Sequence, residues 1–445
     1  MTTGRRLTVL LLALLLIGAP AIVLNLACAG ESCQTTSVAK AEVPFCPLPA
    51  DLRGLLENGF YKGRSPDVFS VAKDANVRGG TGALASDAAP TWPYPGQVSD
   101  TSVPIIVLGD GVTSGYKVPD GTGIDQIAPT LAAIDGLDRG HPEVRAGTEI
   151  DGAWKRASPR LILMIGIKGL GGTSYRRWPY LTTLMKQGAG TFAGSTQSLP
   201  VDAAASLATL GTGGLPSQHG ITGSLLRNGT GKLTPAWGSS APHSVISTLA
   251  DDLDYKRGNE PFVGMVATDA RDRGLIGDGW YTLGTDTDPF VVARPAAVAD
   301  AVGTMLGKDF GHDGTTDLIG VTLNGSVPSA TEAQLQAIVQ AATAASGGSL
   351  TIAIAGTGRS AGQGKDAVTA RSVVQQVQED VGAPVVETAV PGGLFLDQQV
   401  LSDKGLPAGK AVDALAKVTD TKSDQPLMLD AYPAFSISFA RYCGR

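Results

Sequence analysis

Short apolar runs recur along the chain at 68–71, 103–108, 161–167, 262–267, 318–323, 350–355, 384–390 and 435–439, each about the length of a strand. Between most of them, at 124–134, 245–253, 296–306, 332–345 and 367–381, apolar residues return at helical spacing. Consecutive apolar residues bury both faces of a strand, and strands alternating with amphipathic helices build a largely parallel sheet covered on each side. The pattern therefore predicts an α/β protein, a three-layer α/β/α sandwich with a mostly parallel central sheet. Residues 74–101 and 137–159 are rich in Gly, Pro and Asp and read as surface loops.

One apolar run is of a different kind. Arg5 and Arg6 precede an almost continuous stretch from Leu7 to Leu26, matching the ~20 residues that span a bilayer. Residues 1–30 are expected to act as a cleaved signal peptide or as an N-terminal membrane anchor. Ala19-Pro20-Ala21 and Ala27-Cys28-Ala29 offer small-residue cleavage sites, Gly18 and Pro20 interrupt a spanning helix, and a lipid on Cys28 is a third route. All three place the bulk of the chain outside the cytoplasm, at the envelope or beyond it, with residues 31–47 as a linker.

Composition narrows the function classes. Among 445 residues the formal charge of −6 provides no basic footprint, so nucleic acid is not an expected partner. In an exported chain the four cysteines, Cys28, Cys33, Cys46 and Cys443, read as disulfide partners rather than metal thiolates. Gly166-Ile167-Lys168-Gly169-Leu170-Gly171-Gly172 is Gly-rich after a strand but lacks G-x-G-x-x-G spacing. Ser174 and Ser206 have no base placed beside them by any motif. The four histidines, His141, His219, His243 and His312, are scattered, which argues against a di-zinc site. His219 reads as a turn residue, His312 in Gly311-His312-Asp313-Gly314 as a solvated turn, and the Asp269-Ala270-Arg271-Asp272 stretch as a solvated charge cluster.

Four motifs carry a family resemblance: Asn58-Gly59-Phe60-Tyr61-Lys62-Gly63-Arg64-Ser65-Pro66-Asp67-Val68, Val103-Pro104-Ile105-Ile106-Val107-Leu108-Gly109-Asp110-Gly111-Val112, Asp125-Gln126-Ile127-Ala128-Pro129-Thr130-Leu131-Ala132-Ala133, and Leu199 to Ile221, which contains Leu210-Gly211-Thr212-Gly213. Together they resemble segments of the alkaline phosphatase superfamily, over most of residues 48–442. The first three resemble what comes late in that family, yet here they precede the strand at Leu161 that resembles the family's first. The resemblance thus implies a circular permutation: 48–136 as the late part, 137–159 as the joining loop, 160–445 as the early and middle parts. It also implies a Cys46–Cys443 disulfide, because the ends of the permuted domain would adjoin.

The same resemblance implies two metals held by Asp and His and a Thr or Ser nucleophile, and position by position these groups are missing. Lys168 stands where the first strand ends in a metal-binding aspartate, and Ala203 stands at the nucleophile. Asn324 opens a loop with neither the Asp nor the His, Gly356 and Thr357 replace an Asp-His pair, and Thr81 replaces a late His. No catalytic residue, metal or cofactor is then expected. The expectation is a non-catalytic binding or interaction module at the cell envelope, with an anionic ligand or an envelope protein as partner and the membrane reached through an uncleaved N-terminal segment. The alternative is a hydrolase of phosphate or sulfate esters with a rearranged site. Lys168 is expected to pair with Asp202 or to bind an anion.

Overall fold

The computed structural model describes residues 45–73, 77–80, 98–172, 174–281, 288–358, 366–390, 392–420, 423–440 and 443. The N-terminal apolar run, Cys28, Cys33 and Thr81 lie outside the described residues. Among those described, no helix is long and apolar enough to cross a membrane.

Seven strands form the central sheet, in the order Ala189–Ser195, Ser102–Gly109, Leu350–Gly356, Leu161–Lys168, Asp317–Asn324, Val263–Ala267 and Phe290–Val292. Ser102–Gly109 runs antiparallel to both of its neighbours, while the pairs from Leu350–Gly356 to Phe290–Val292 are all parallel. Side chains alternate between two cores. Ile162 and Met164 join Leu131, Leu207 and Leu253 on one face. Leu161, Leu163, Ile165 and Ile167 join Leu181, Val302 and Leu335 on the other. Helices thus cover both faces, which is why these strands read as continuous apolar runs and not as alternation.

The run at 68–71 does not join this sheet. Its strand, Val68–Ala72, lies in a second, four-stranded antiparallel sheet with Val386–Val390, Gly393–Leu396 and Met428–Pro433. Helices Ala370–Val381 and Gly409–Ala416 pack on it through Val373, Val377, Val412 and Leu415. Residues 384–390, expected in the parallel sheet, belong here as well. The run at 435–439 is not a strand: Ala434–Ile437 is a short helix. Phe435 and Phe439 are 67% and 45% exposed, so the two aromatic residues of this run face solvent and not a sheet core.

Cys46 and Cys443 are bonded, with Cα atoms 5.1 Å apart across 397 residues of sequence. The bridge ties the segment that enters the first described helix, Ala50–Gly59, to the last described residue.

Candidate functional site

Open α/β sheets expose their functional edge at the carboxyl ends of the strands, and register places the suspected positions there. Asn324 lies opposite Lys168, and Gly356 opposite Ile167. Three adjacent parallel strands therefore end level, with Lys168, Asn324 and Gly356-Thr357 along one edge.

Lys168 does not pair with Asp202. Its Nζ donates to Asp272 Oδ2 at 2.8 Å, with the two side chains only 14% and 4% exposed. The same oxygen accepts from Thr322 Oγ1 at 2.9 Å and from Thr268 Oγ1 at 3.2 Å. Donors from three neighbouring strand ends thus converge on one buried carboxylate. The 269–272 stretch, expected to be solvated, instead forms a turn of 3-10 helix, Ala270–Leu275, that lowers Asp272 into the sheet edge. Beside it Asp269 accepts from Arg271 Nε at 2.8 Å and from Arg271 Nη2 at 2.6 Å. Burial raises the Asp269 pKa, but the Arg271 bonds, with Lys168 nearby, outweigh it and hold the carboxyl at about 2.

Asp202 is engaged elsewhere because it is a helix cap. The helix Ala203–Thr212 begins one residue after it, and Asp202 Oδ1 accepts from Ala204 N at 2.8 Å. Ser224 Oγ is 2.9 Å from both of its oxygens. Burial pushes the Asp202 pKa up, opposed by Ser224, by the cap bond and by the charge of Arg271. Ala203 is the first helical residue and half-buried, a position from which a hydroxyl-bearing side chain would stand at a helix N-terminus.

The Gly356 end of the sheet is filled by backbone. A Cβ there would lie 2.0 Å from Leu170 O, so no side chain fits without moving the Lys168-Gly169-Leu170 segment. That segment is pinned: Gly169 N donates to Thr357 Oγ1 at 3.1 Å, Thr357 N to Ile167 O at 3.2 Å and Gly325 N to Lys168 O at 2.8 Å. Ser206 Oγ donates to the Thr357 carbonyl at 3.1 Å, so its hydroxyl serves helix-to-sheet packing. Asn324 folds back on its own loop, Oδ1 accepting from Ser326 N at 3.1 Å.

His219 is fully buried, with Nδ1 accepting from Ile221 N at 3.0 Å and Nε2 facing Thr209 Oγ1 at 3.1 Å. Because Nδ1 accepts, the ring proton sits on Nε2 and donates to Thr209. Burial, with Arg64 nearby, lowers its pKa to about 3. His141 and His243 are exposed and face Glu143 and Asp278, and His312 lies 3.9 Å from Asp309. Among the described residues no three His, Cys, Asp or Glu side chains are grouped to hold a metal ion.

No family model matches the sequence, and no curated protein matches it. Among solved structures, wild-type alkaline phosphatase PafA aligns at 14% identity and a TM-score of 0.41, covering 58% of this chain and 76% of that one. A mutant of PafA aligns with the same identity and TM-score over 59% and 77%.

The residue that sequence reasoning passed over is Asp272. Its signal was position: five residues beyond the Val263–Ala267 strand, on the loop leaving the sheet's carboxyl edge. What hid it was strand order, which sets that loop across the Asp317–Asn324 strand from Lys168.

Proposed function

We propose that this chain is an exported, non-catalytic relative of the alkaline phosphatases, permuted in order, that serves as a binding or interaction module at the cell envelope. The observation that carries the reading is the Lys168–Asp272 pair. At a strand end where the resemblance calls for a metal-binding carboxylate, an ammonium already neutralises the buried acid that remains, and Lys168 cannot ligate a cation while charged. Ala203 offers no nucleophile at the adjacent helix start, and the Leu170 carbonyl occupies the space that a ligand side chain at Gly356 would need. Transition-state stabilisation by metals and a hydroxyl nucleophile is thereby removed together.

Two features support the permuted order. Ser102–Gly109 and Leu161–Lys168 share one sheet, separated only by Leu350–Gly356. The Cys46–Cys443 bond joins the two ends of the described domain, as a permutation between adjacent termini requires.

The test is turnover of aryl phosphate mono- and diesters by the full-length protein with zinc, manganese or calcium added. The expected result is no acceleration above buffer. Chelator-sensitive turnover would overturn the reading in favour of a hydrolase with a rearranged metal site.

A further inference from the structure

The chain enters the described domain beside an exposed aromatic turn. Phe45, the first described residue, sets its ring edge-on to Tyr432 with centroids 5.6 Å apart, and Cys46 after it is bonded to Cys443. Between Tyr432 and Cys443 lie the short helix Ala434–Ile437 and the turns that follow it, in which Ser438 N donates to Phe435 O at 3.1 Å, Phe439 N to Ser436 O at 3.0 Å and Cys443 N to Ala440 O at 3.0 Å. Both ends of this stretch are thus fastened to the point of entry. Within it, Phe435 is more exposed than any other large apolar side chain among the described residues, and Phe439 is nearly half-exposed.

Beside Ile437 and Ser438 runs an open groove of about 700 Å³, lined also by Phe60 and Tyr61, with the exposed Glu57 and Lys62 along it. Exposed aromatic groups next to an apolar groove mark an interaction surface, and the chain upstream says what covers it. The stretch Leu7–Leu26 is long enough to cross a bilayer, and only residues 27–44 separate it from Phe45. Fully extended, those residues span at most about 60 Å, so a bilayer holding the apolar stretch is always within reach of the aromatic turn. Glu57 and Lys62 offset one another, which suits an apolar interface rather than a charged partner. Two phenylalanines bind a bilayer weakly alone, but a tether makes their docking intramolecular, at an effective concentration on the order of millimolar.

We infer that this turn is a membrane-docking surface: with the N-terminal stretch held in a phospholipid bilayer, Phe435 and Phe439 insert at the headgroup level of that same bilayer. Aromatic side chains gain there by burying their rings where apolar and wet regions meet. Such docking rests on the envelope reading proposed above, in its anchored form, and is indifferent to whether the sheet edge is catalytic.

The experiment is tryptophan emission from the full-length protein in phosphatidylcholine vesicles, with and without bromine high on the acyl chains, after subtraction of the parent's own five tryptophans. Emission added by Phe435→Trp should shift to the blue, and more than about half of it should be lost to brominated lipid, because interfacial side chains reach about 5–10 Å into the boundary between headgroups and acyl chains. Val292→Trp, at a 53% exposed position on the last strand of the central sheet, should keep its emission. A protein that stays with the vesicles but shows no quenching at position 435, or equal quenching at 292, would overturn the docking and leave the anchored reading standing. A blue shift without quenching would assign the turn to a contact between copies of the chain and overturn the docking as well. A protein that does not stay with the vesicles would overturn the anchored reading and the docking with it.

Discussion

Replacing Lys168 by Met tests whether the ion pair at the sheet edge holds the fold together. Met keeps most of the stem volume, so the packing loss is small and the measured effect is mainly electrostatic. The substitution leaves Asp272, 4% exposed, with only the hydroxyls of Thr268 and Thr322 to solvate it. Removing one partner of a fully buried pair costs about 3–5 kcal/mol. Lys168 retains 14% exposure, so water reaches the vacated side and the expected loss is about 2–3 kcal/mol. Urea unfolding followed by tryptophan fluorescence measures it as a lower midpoint at constant slope. The double variant K168M/D272L removes the stranded charge as well and should recover at least about 1 kcal/mol relative to K168M alone. A K168M variant within about 0.5 kcal/mol of the parent, or a double variant as unstable as the sum of the single ones, would refute a structural ion pair.

Opening the Cys46–Cys443 bridge by changing both residues to Ser releases a loop of 397 residues. The chain-entropy relation gives about 6 kcal/mol for it, against about 2–5 kcal/mol commonly measured for native bridges; denaturant titration that finds less than about 1 kcal/mol would show that the ends are held by other contacts. Asp125 is buried with Oδ1 unpartnered, and burial raises its pKa to about 6. A raised folded-state pKa favours the protonated form, so its share of stability is fully present below about pH 4 and falls away as pH rises through about 6. D125N should therefore gain up to about 3 kcal/mol on the parent between pH 4 and pH 7; parallel stability curves over that range would refute the assignment.

The central strands were legible because a strand buried on both faces must be apolar at consecutive positions, as Leu161 to Ile167 and Leu318 to Leu323 are. The bond between Cys46 and Cys443 was expected only through the family resemblance, whose motif order implies adjoining ends; no local pattern marks the pairing. A local rule could also have excluded the Lys168–Asp202 pair: an Asp before three alanines is a helix cap, and its carboxylate is used there. Direction and membership of strands were not legible. Ser102–Gly109 has the same apolar period whether it runs parallel or antiparallel, and Val68–Ala72 looks like a central strand although it pairs in the second sheet. The apolar run at 435–439 also misled, because a short helix, Ala434–Ile437, takes the place of the expected strand and leaves Phe435 and Phe439 exposed. The partner of Lys168 was decided by tertiary structure alone. Asp272 lies 104 residues away, and only the order of strands brings Lys168, Thr268 and Thr322 around its carboxylate. Sequence periodicity reports which faces are buried; which loops then meet at a sheet's edge depends on pairings between distant segments that leave no trace in local pattern.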